Sequence, residues 1–281
     1  MQMDKFSRAM MTVYCGAATT LAVAALLVFV ELRYDTAIYS FLYGPFPLGA
    51  LLAGMVAASG YYFGARWTNY RPGKLFLANV LAVSGANFFL IYFLDYWFGE
   101  QDGQRIHTWL SFPDYLAWEL THTTIASGSS DPSPTHLGSW GYGYAVLLIV
   151  GFACGGLIVF ALIRALAYCN YCSLYMKKQG AQTRYLLSQA DLTRVFQIFK
   201  QEAEAGHTRS AVAGHSQSGE REATPATGYS LTVQFASCPQ CGHQRLSLAA
   251  RERTNNRWTA VAKLQYARYA DERIDVIEKP A

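Results

Sequence analysis

The chain has 281 residues, of which 52% are hydrophobic and only 15% are charged, and its formal net charge is +4. Soluble domains carry about 25% charged residues, so the composition excludes a single soluble globule, a disordered chain and a disulfide-rich secreted domain. Residues 11–167 hold nearly all the long apolar runs, whereas residues 168–281 are polar and charge-rich. The sequence therefore predicts a membrane protein with a soluble C-terminal domain.

Four apolar runs are long enough to cross a bilayer, which requires about 20 helical residues. The first run is too long for the apolar region of a cleavable signal peptide, and no small-residue cleavage site ends it. We therefore interpret it as a retained anchor. The predicted transmembrane domain comprises residues 1–167, with spans at about 11–32, 45–65, 75–98 and 142–167.

Small residues recur four positions apart within the second and fourth predicted spans. Ala50 and Gly54 form one such pair, and the others are Gly60 with Gly64 and Gly151 with Gly155. This spacing lets helix backbones approach closely in lipid, either within one chain or between chains. The pattern favours a packed helix bundle over a cofactor site.

A long loop at residues 99–141 separates the third and fourth spans, and its only basic residue is Arg105 among several acidic ones. Lysine and arginine accumulate in the cytoplasmic segments of membrane proteins. We therefore expect this loop to lie outside and both termini to be cytoplasmic. The basic residues that flank the spans on the predicted inner side are Lys5, Arg8, Arg66, Arg71, Lys74, Arg164, Lys177 and Lys178.

The outer loop contains one predicted helix. Residues 111–121 have an amphipathic pattern with Pro113 in the first turn, where proline is tolerated. We expect this helix to lie along the outer membrane–water interface. His107, His122 and His136 also lie on this loop, but their spacing favours ordinary surface histidines over a metal site.

Two Cys-x-x-Cys motifs are the strongest chemical signal: Cys169-Asn-Tyr-Cys172 and Cys238-Pro-Gln-Cys241, the latter followed by Gly242. Each motif lets two thiolates bind one metal from a tight turn, and a following glycine permits the backbone geometry. Both motifs lie on the predicted cytoplasmic side, where thiols stay reduced. We predict that the four cysteines hold one structural zinc ion and leave no open position for water.

Iron is the alternative metal, since a rubredoxin-like site also uses two such motifs. No glycine follows Cys172, and this departure favours zinc over iron. A thioredoxin-type redox site would need a βαβ context, and a c-type haem would need histidine directly after the second cysteine. His243 comes one residue too late for haem attachment.

The two motifs are separated by 65 residues, 173–237, more than a compact zinc ribbon needs. We attribute the excess to an inserted amphipathic helix at 183–205 and a flexible Gly/Ser/Thr-rich linker at 206–228. The predicted fold class is therefore mainly α: a four-helix transmembrane bundle with a small cytosolic zinc-ribbon-like α+β domain at 168–281. Strands are predicted at 229–235, 245–250, 258–266 and 273–278.

Five segments between residues 40 and 178 carry a family resemblance. They are Ser59-Gly-Tyr-Tyr-Phe-Gly64, Phe89-Leu-Ile-Tyr92, Ser111-Phe-Pro-Asp-Tyr-Leu116, Leu137-Gly-Ser-Trp-Gly-Tyr142 and Tyr168-Cys-Asn-Tyr-Cys172. In these segments the chain resembles uncharacterised bacterial inner-membrane proteins with four transmembrane helices and a cytosolic zinc-ribbon-like tail. The resemblance implies a multi-pass protein of the bacterial inner membrane, and it implies no activity.

The chain contains no Gly-x-Ser-x-Gly, no phosphate-binding Gly-Lys-Ser/Thr loop and no His-Glu-x-x-His, so we do not expect an enzyme. We predict an integral membrane anchor or scaffold that displays the four-cysteine domain to another membrane or cytosolic protein. Residues 164–281 hold 16 Lys and Arg against 10 Asp and Glu, a net of +6. Such a balance can favour anionic lipid headgroups or nucleic acid, and the predicted ribbon carries Arg245, Arg251, Arg253 and Arg257. Cytosolic juxtamembrane domains are commonly basic in any case, so we do not expect nucleic acid as the partner.

Two other functions stay open on the sequence. One is an oligomeric channel or permease, in which Asn79, Ser84 and Asn87 of the third span would line a polar seam. The other is an electron-transfer subunit that carries rubredoxin-like iron. Besides the lipid bilayer, a second copy of the chain is therefore a further candidate partner.

Overall fold

The structure, a computed structural model, describes residues 4–34, 37–43, 45–101, 103–125, 135–204, 228–254 and 257–270. The chain divides into two compact units, which we call the helical unit (residues 1–165) and the sheet unit (residues 166–281). Of the predicted linker at 206–228, only the last residue is described. The predicted strand at 273–278 lies outside the described residues.

Four long helices form the helical unit, and each is long and apolar enough to cross a membrane. They lie over the four predicted spans, and their ends differ from the predicted ones by up to six residues. The helices are α1 (Lys5–Tyr34), α2 (Leu48–Thr68), α3 (Lys74–Phe98) and α5 (Trp140–Ala165), with the shorter α4 (Phe112–His122) between the last two. Helix α1 begins earlier because it continues into the polar turn before the apolar run, whereas α2 begins only after Pro47.

Local sequence explains two of these helix ends. The backbone N–H of Ser7 donates to the Asp4 carboxylate at 2.7 Å, so Asp4 caps α1 and the helix starts before the apolar run. At the end of α2, Asn69 has a φ of 55° and its N–H donates to the carbonyl of Ala65. Asparagine tolerates this left-handed conformation, which terminates the helix.

The small residues of α2 lie at contacts within the chain. A Cβ at Gly60 would overlap the carbonyl oxygen of Cys15 on α1, and the N–H of Gly60 donates to Thr19 Oγ1 at 3.2 Å. Thr19 in turn donates to the carbonyl of Ala57 at 2.7 Å. On another side of α2, a Cβ at Gly54 would lie 2.8 Å from the Cα of Phe152 on α5. The predicted close approach thus occurs between helices of one chain.

The three polar residues of α3 have different surroundings. Asn79 accepts a hydrogen bond from the Tyr61 hydroxyl at 3.0 Å. Ser84 and Asn87 are buried, and neither side chain has a hydrogen-bond partner among the described residues. Asp95, near the end of the helix, accepts a hydrogen bond from the Tyr115 hydroxyl of α4.

The segment between α3 and α5 packs onto the helices rather than extending as a simple loop. Helix α4 occupies the predicted position and contacts α3 and α5, and Tyr115 is only 1% exposed. His107 stacks on Trp97 and His122 on Trp118. Two short antiparallel pairs flank α4: β1 (Glu100–Gln101) with β2 (Gln104–Arg105), and β3 (Thr124–Ile125) with β4 (Thr135–His136).

The sheet unit contains a small hairpin and a four-stranded antiparallel sheet in the order β10-β9-β8-β7. The hairpin consists of β5 (Tyr168–Cys169) and β6 (Leu174–Tyr175), and the sheet of β7 (Lys177–Leu186), β8 (Tyr229–Ser237), β9 (Gln244–Thr254) and β10 (Arg257–Ala270). Strands β8, β9 and β10 of this sheet include the strands predicted at 229–235, 245–250 and 258–266.

The predicted helix at 183–205 is wrong at its start. Residues up to Leu186 belong to β7, and helix α6 spans Gln189–Glu204. Ser188 determines this start, because the N–H of Asp191 donates to its Oγ at 3.1 Å and that hydroxyl donates to the Asp191 carboxylate at 2.7 Å. This is the N-cap arrangement that Ser-x-x-Asp provides.

Helix α6 covers one face of the sheet. Its Leu192, Phe196 and Phe199 are buried against Leu231 of β8 and Leu248 of β9. The apolar stripe predicted for this helix is therefore the stripe that forms the core of the sheet unit. The helix orders the sheet without contributing a residue to the cysteine cluster.

Candidate metal centre

The first Cys-x-x-Cys motif forms the turn of the β5–β6 hairpin. Cys169 pairs with Leu174 at the end of the hairpin, so the motif must reverse the chain within four residues. Ser173, directly after Cys172, has a φ of 55°. This is the left-handed conformation that a knuckle requires, and here serine adopts it in place of glycine.

The second motif forms the connection between β8 and β9. Gly242 has a φ of 73°, and its N–H donates to the carbonyl of Cys238 at 3.1 Å. The N–H of Cys238 donates to the carbonyl of His243 at 2.8 Å. These backbone bonds close a tight knuckle from which Cys238 and Cys241 point to the same side.

Strand pairing brings the two knuckles together. Strand β7 follows the first knuckle almost directly and pairs with β8, with Lys177 opposite Ser237, the last residue before the second knuckle. The four cysteine sulfurs, of Cys169, Cys172, Cys238 and Cys241, consequently lie within 4.8 Å of one another. All four residues that the sequence singled out therefore converge at one point.

The distances suit a tetrahedral metal site. The Sγ atoms of Cys169 and Cys241 are 3.6 Å apart. A tetrahedron with metal–sulfur bonds of about 2.3 Å has sulfurs about 3.8 Å apart. No bond links the sulfurs, since all six cysteines of the chain are free thiols. The cluster can therefore hold a metal ion with little rearrangement.

Burial and mutual proximity control the ionisation of these thiols. Burial raises the pKa of Cys169, and burial together with the neighbouring thiols raises the pKa of Cys172 to about 12. Burial also opposes ionisation of Cys238, but hydrogen bonds from the N–H groups of Cys241 and Gln240 outweigh it and lower the pKa of Cys238 to about 7. Cys238 is therefore the thiol of these three that ionises most readily, and four thiolates together require a bound cation.

The surroundings of the cluster are apolar on one side and polar on the other. Cys169 and Cys238 are each 3% exposed and pack with Met176 and Ala236. On the polar side, His243 Nδ1 lies 2.9 Å from the Sγ of Cys241. An imidazole N–H at this distance can donate to a thiolate, and such outer hydrogen bonds orient and stabilise metal ligands.

Four sulfur ligands fill a tetrahedral site, so the centre has no open position for water or substrate. Such a set suits zinc and iron alike. Among the described residues this is the only group of three or more candidate ligands. Cys15 and Cys154 lie within α1 and α5 of the helical unit and are not part of this group.

Sequence reasoning missed two features of the centre. The left-handed Ser173 has no strong signal, because serine is not a preferred residue at positive φ. The contact of His243 with Cys241 had a signal, since a histidine two residues beyond a ligating cysteine is close enough to reach its sulfur.

No protein-family model, curated protein or solved structure matches this chain. The four apolar helices and the cysteine cluster are therefore the observations from which function has to be argued.

Proposed function

We propose that this chain is an integral membrane anchor that displays a cytosolic, zinc-binding four-cysteine domain to a protein partner. The observation that carries the proposal is the convergence of four cysteine sulfurs within 4.8 Å in the unit that follows four apolar helices. A filled tetrahedral site has a structural role, because it binds no substrate and links segments that are distant in sequence.

The location is proposed from the sequence. The basic flanks of the spans support cytoplasmic termini by the positive-inside rule, and the family resemblance supports a bacterial inner membrane. Reduced thiols persist in the cytoplasm, so a cytosolic sheet unit is consistent with a thiolate metal site. The basic flanks of the spans and the chemistry of the cysteines therefore favour a cytosolic sheet unit independently of each other.

Replacing single cysteines tests the metal centre. We expect Cys169→Ser and Cys241→Ser to lose the metal and to make the sheet unit sensitive to protease, because zinc binding supplies folding free energy in small metal domains. The spans should still insert, since no described element of the bundle contributes a ligand. The measurement is elemental analysis of metal per purified chain, combined with limited proteolysis.

The matched control is Cys154→Ser, which removes a thiol from α5 and should keep the full metal content. Stoichiometric zinc in a colourless protein supports the proposal. A visible thiolate-to-iron absorption band would instead show that the metal is iron and would favour the electron-transfer alternative. Full metal content and protease resistance in both cluster variants would show that these residues are not the ligands.

The anchoring role is tested by purification from native membranes in a mild detergent, followed by mass spectrometry. A partner at stoichiometric amounts should accompany the wild type and the Cys154→Ser control, and it should be lost with Cys169→Ser. A chain that purifies alone in all three forms contradicts a scaffold role.

A channel or permease is the second candidate, and the unpartnered side chains of Ser84 and Asn87 favour it. Both are buried in the interior of the bundle, where polar groups without partners are costly. If they line a conduction path, Asn87→Leu should abolish solute or ion flux in reconstituted vesicles. Unchanged flux in vesicles that contain Asn87→Leu would exclude a conduction path through these residues.

A further inference from the structure

The four-stranded sheet has a second face, opposite the face that α6 covers. Tyr185, Ser230 and Arg251 lie in one cross-strand row. In the adjacent row, Leu231 and Ala250 belong to the core under α6. Because successive residues of a strand point to opposite sides, the row of Tyr185 belongs to the other side of the sheet, which we call the open face.

The open face is cationic. Every second residue of β9 belongs to it, so Arg245, Arg251 and Arg253 share this side. Lys178 joins the row of Arg245 through Ala236. Among the described residues of the four strands of this sheet, the only acidic one is Glu252. It belongs to the row of Tyr229 on the side that α6 covers, and it accepts a hydrogen bond from the Tyr229 hydroxyl at 3.3 Å.

Two aromatic rings meet over one end of the open face. Tyr185 belongs to edge strand β7 and Trp258 to edge strand β10, yet their ring centroids are only 6.1 Å apart. Because β8 and β9 lie between them, β7 and β10 would be about 14 Å apart in a flat sheet. The rings therefore lean toward each other over the central strands, in agreement with the 4% exposure of Ser230.

The aromatic and basic groups are adjacent. Trp258 pairs directly with Arg253, and Ala260 two residues on pairs with Arg251. Trp258 remains 36% exposed, so part of its ring is available for contact. From Arg245 to Arg253 the strand spans about 26 Å at 3.3 Å per residue, which is room for several nucleotides.

We propose that the open face binds single-stranded nucleic acid, a function beyond the anchoring role and independent of the metal. Guanidinium groups contact phosphates, and the exposed aromatic ring provides a stacking surface for a base. Arginines spaced along one strand match the repeating charges of an extended polyanion, and the Trp258 ring adds a base-stacking contact that a lipid headgroup does not use. The basic composition of the domain did not by itself favour this partner over lipid headgroups. The register of β9 does, because it gathers three arginines on one side.

The test uses the full-length protein in zwitterionic nanodiscs and a short fluorescein-labelled oligouridylate, with binding followed by fluorescence anisotropy. We expect saturable binding that weakens with salt, with a slope of log K against log salt near −2, since each phosphate neutralised on a single strand contributes about −0.7. Arg251→Gln should reduce that slope by about 0.7. Trp258→Ala should weaken binding about tenfold and leave the slope unchanged.

The matched control is Arg194→Gln, which removes the same charge from an exposed position on α6 and should bind as the wild type does. Metal content serves as the folding readout, and Trp258→Phe, which retains a stacking ring, replaces Trp258→Ala if the latter loses its metal. Because metal content and partner capture are measured separately, failure of nucleic-acid binding leaves the anchor proposal standing.

Four outcomes overturn the inference. The first is no anisotropy change at low salt, and the second is equal loss of binding in Arg194→Gln and Arg251→Gln. The third is displacement of the probe by polyglutamate as effectively as by unlabelled oligouridylate, which would assign the face to an acidic protein. The fourth is hydrogen-exchange protection of residues 245–258 in anionic but not zwitterionic nanodiscs without the probe, which would assign the face to lipid headgroups.

Discussion

Ser173 and Gly242 occupy equivalent positions, each directly after the second cysteine of a knuckle and each with a positive φ. Glycine adopts this conformation without steric cost, whereas serine pays a penalty of about 1 kcal/mol or more. The first knuckle therefore carries local strain that the surrounding hairpin, and the metal in our proposal, must offset. The absence of glycine after Cys172 does not prevent the knuckle from forming.

Glu119 and Tyr115 form part of a buried acidic region next to the end of α3. The Tyr115 hydroxyl donates to Asp95, and burial followed by the charge of Asp95 raises the pKa of Tyr115 well above its ordinary value. Burial and the same carboxylate also raise the pKa of Glu119, against a smaller lowering by His122. A proton on Glu119 is thus more tightly held in the folded protein than in the unfolded chain.

The raised pKa of Glu119 predicts a pH dependence of stability. Between its ordinary value of 4.5 and its raised folded value, the folded state binds more protons than the unfolded state. The free energy of unfolding therefore falls as the pH rises through this window and is constant above it. We expect Glu119→Gln to remove this decrease and to be more stable than the wild type at neutral pH, as measured by thermal unfolding in detergent across pH.

Glu100→Gln is the control for this prediction, because Glu100 is exposed and its replacement removes the same charge. It should retain the pH dependence of the wild type. Identical pH profiles for the wild type and Glu119→Gln would show that another group governs stability in this range.

At the scale of elements, α2 is the helix around which the bundle packs. Gly60 and Gly64 face α1, and Gly54 faces α5. Lipid provides no hydrophobic force that holds helices together, so close backbone contact supplies much of the attraction. A side chain at these positions would separate the helices and reduce that contact.

We expect Gly54→Ala to destabilise the bundle by about 1–3 kcal/mol, because the new Cβ would overlap the backbone of Phe152 rather than a movable side chain. The matched control is Gly143→Ala in α5, where a Cβ would have no neighbour within 4 Å, and this change should be neutral or slightly stabilising. Unfolding by titration with a denaturing detergent measures both. Equal stability of the two variants would show that α2 and α5 do not pack as described.

At the scale of the whole molecule, the topology follows from charge and the number of spans. An even number of spans would place both termini on one side, and from the basic flanks we propose that this side is the cytoplasm. We expect green fluorescent protein at the C-terminus to fluoresce in bacterial cells. Alkaline phosphatase inserted in the loop at 99–141 should be active, because it folds only outside the cytoplasm.

The reciprocal fusions are the controls, with alkaline phosphatase at the C-terminus and green fluorescent protein in the loop, and both should be inactive. Activity of the C-terminal phosphatase would reverse the topology. It would also place the cysteine cluster in an oxidising compartment, where disulfides compete with metal binding.

Local pattern determined much of what is known about this chain. Apolar runs of about 20 residues predicted the four long helices, and the Cys-x-x-Cys spacing singled out the four cysteines that converge. Both signals reside in short segments, so neighbouring residues are sufficient to reveal them. The small-residue pairs likewise predicted close helix contacts, although not that the contacts lie within one chain.

Only the tertiary structure decided the features that depend on pairing between distant segments. Strand β7 was predicted in part as helix, because its role as a strand comes from hydrogen bonding to β8 across the intervening α6. That pairing joins the two knuckles, and the register of β8 with β9 gathers Arg245, Arg251 and Arg253 on one face. A register shift of one residue would reverse the face, and a single strand's sequence does not specify its partner.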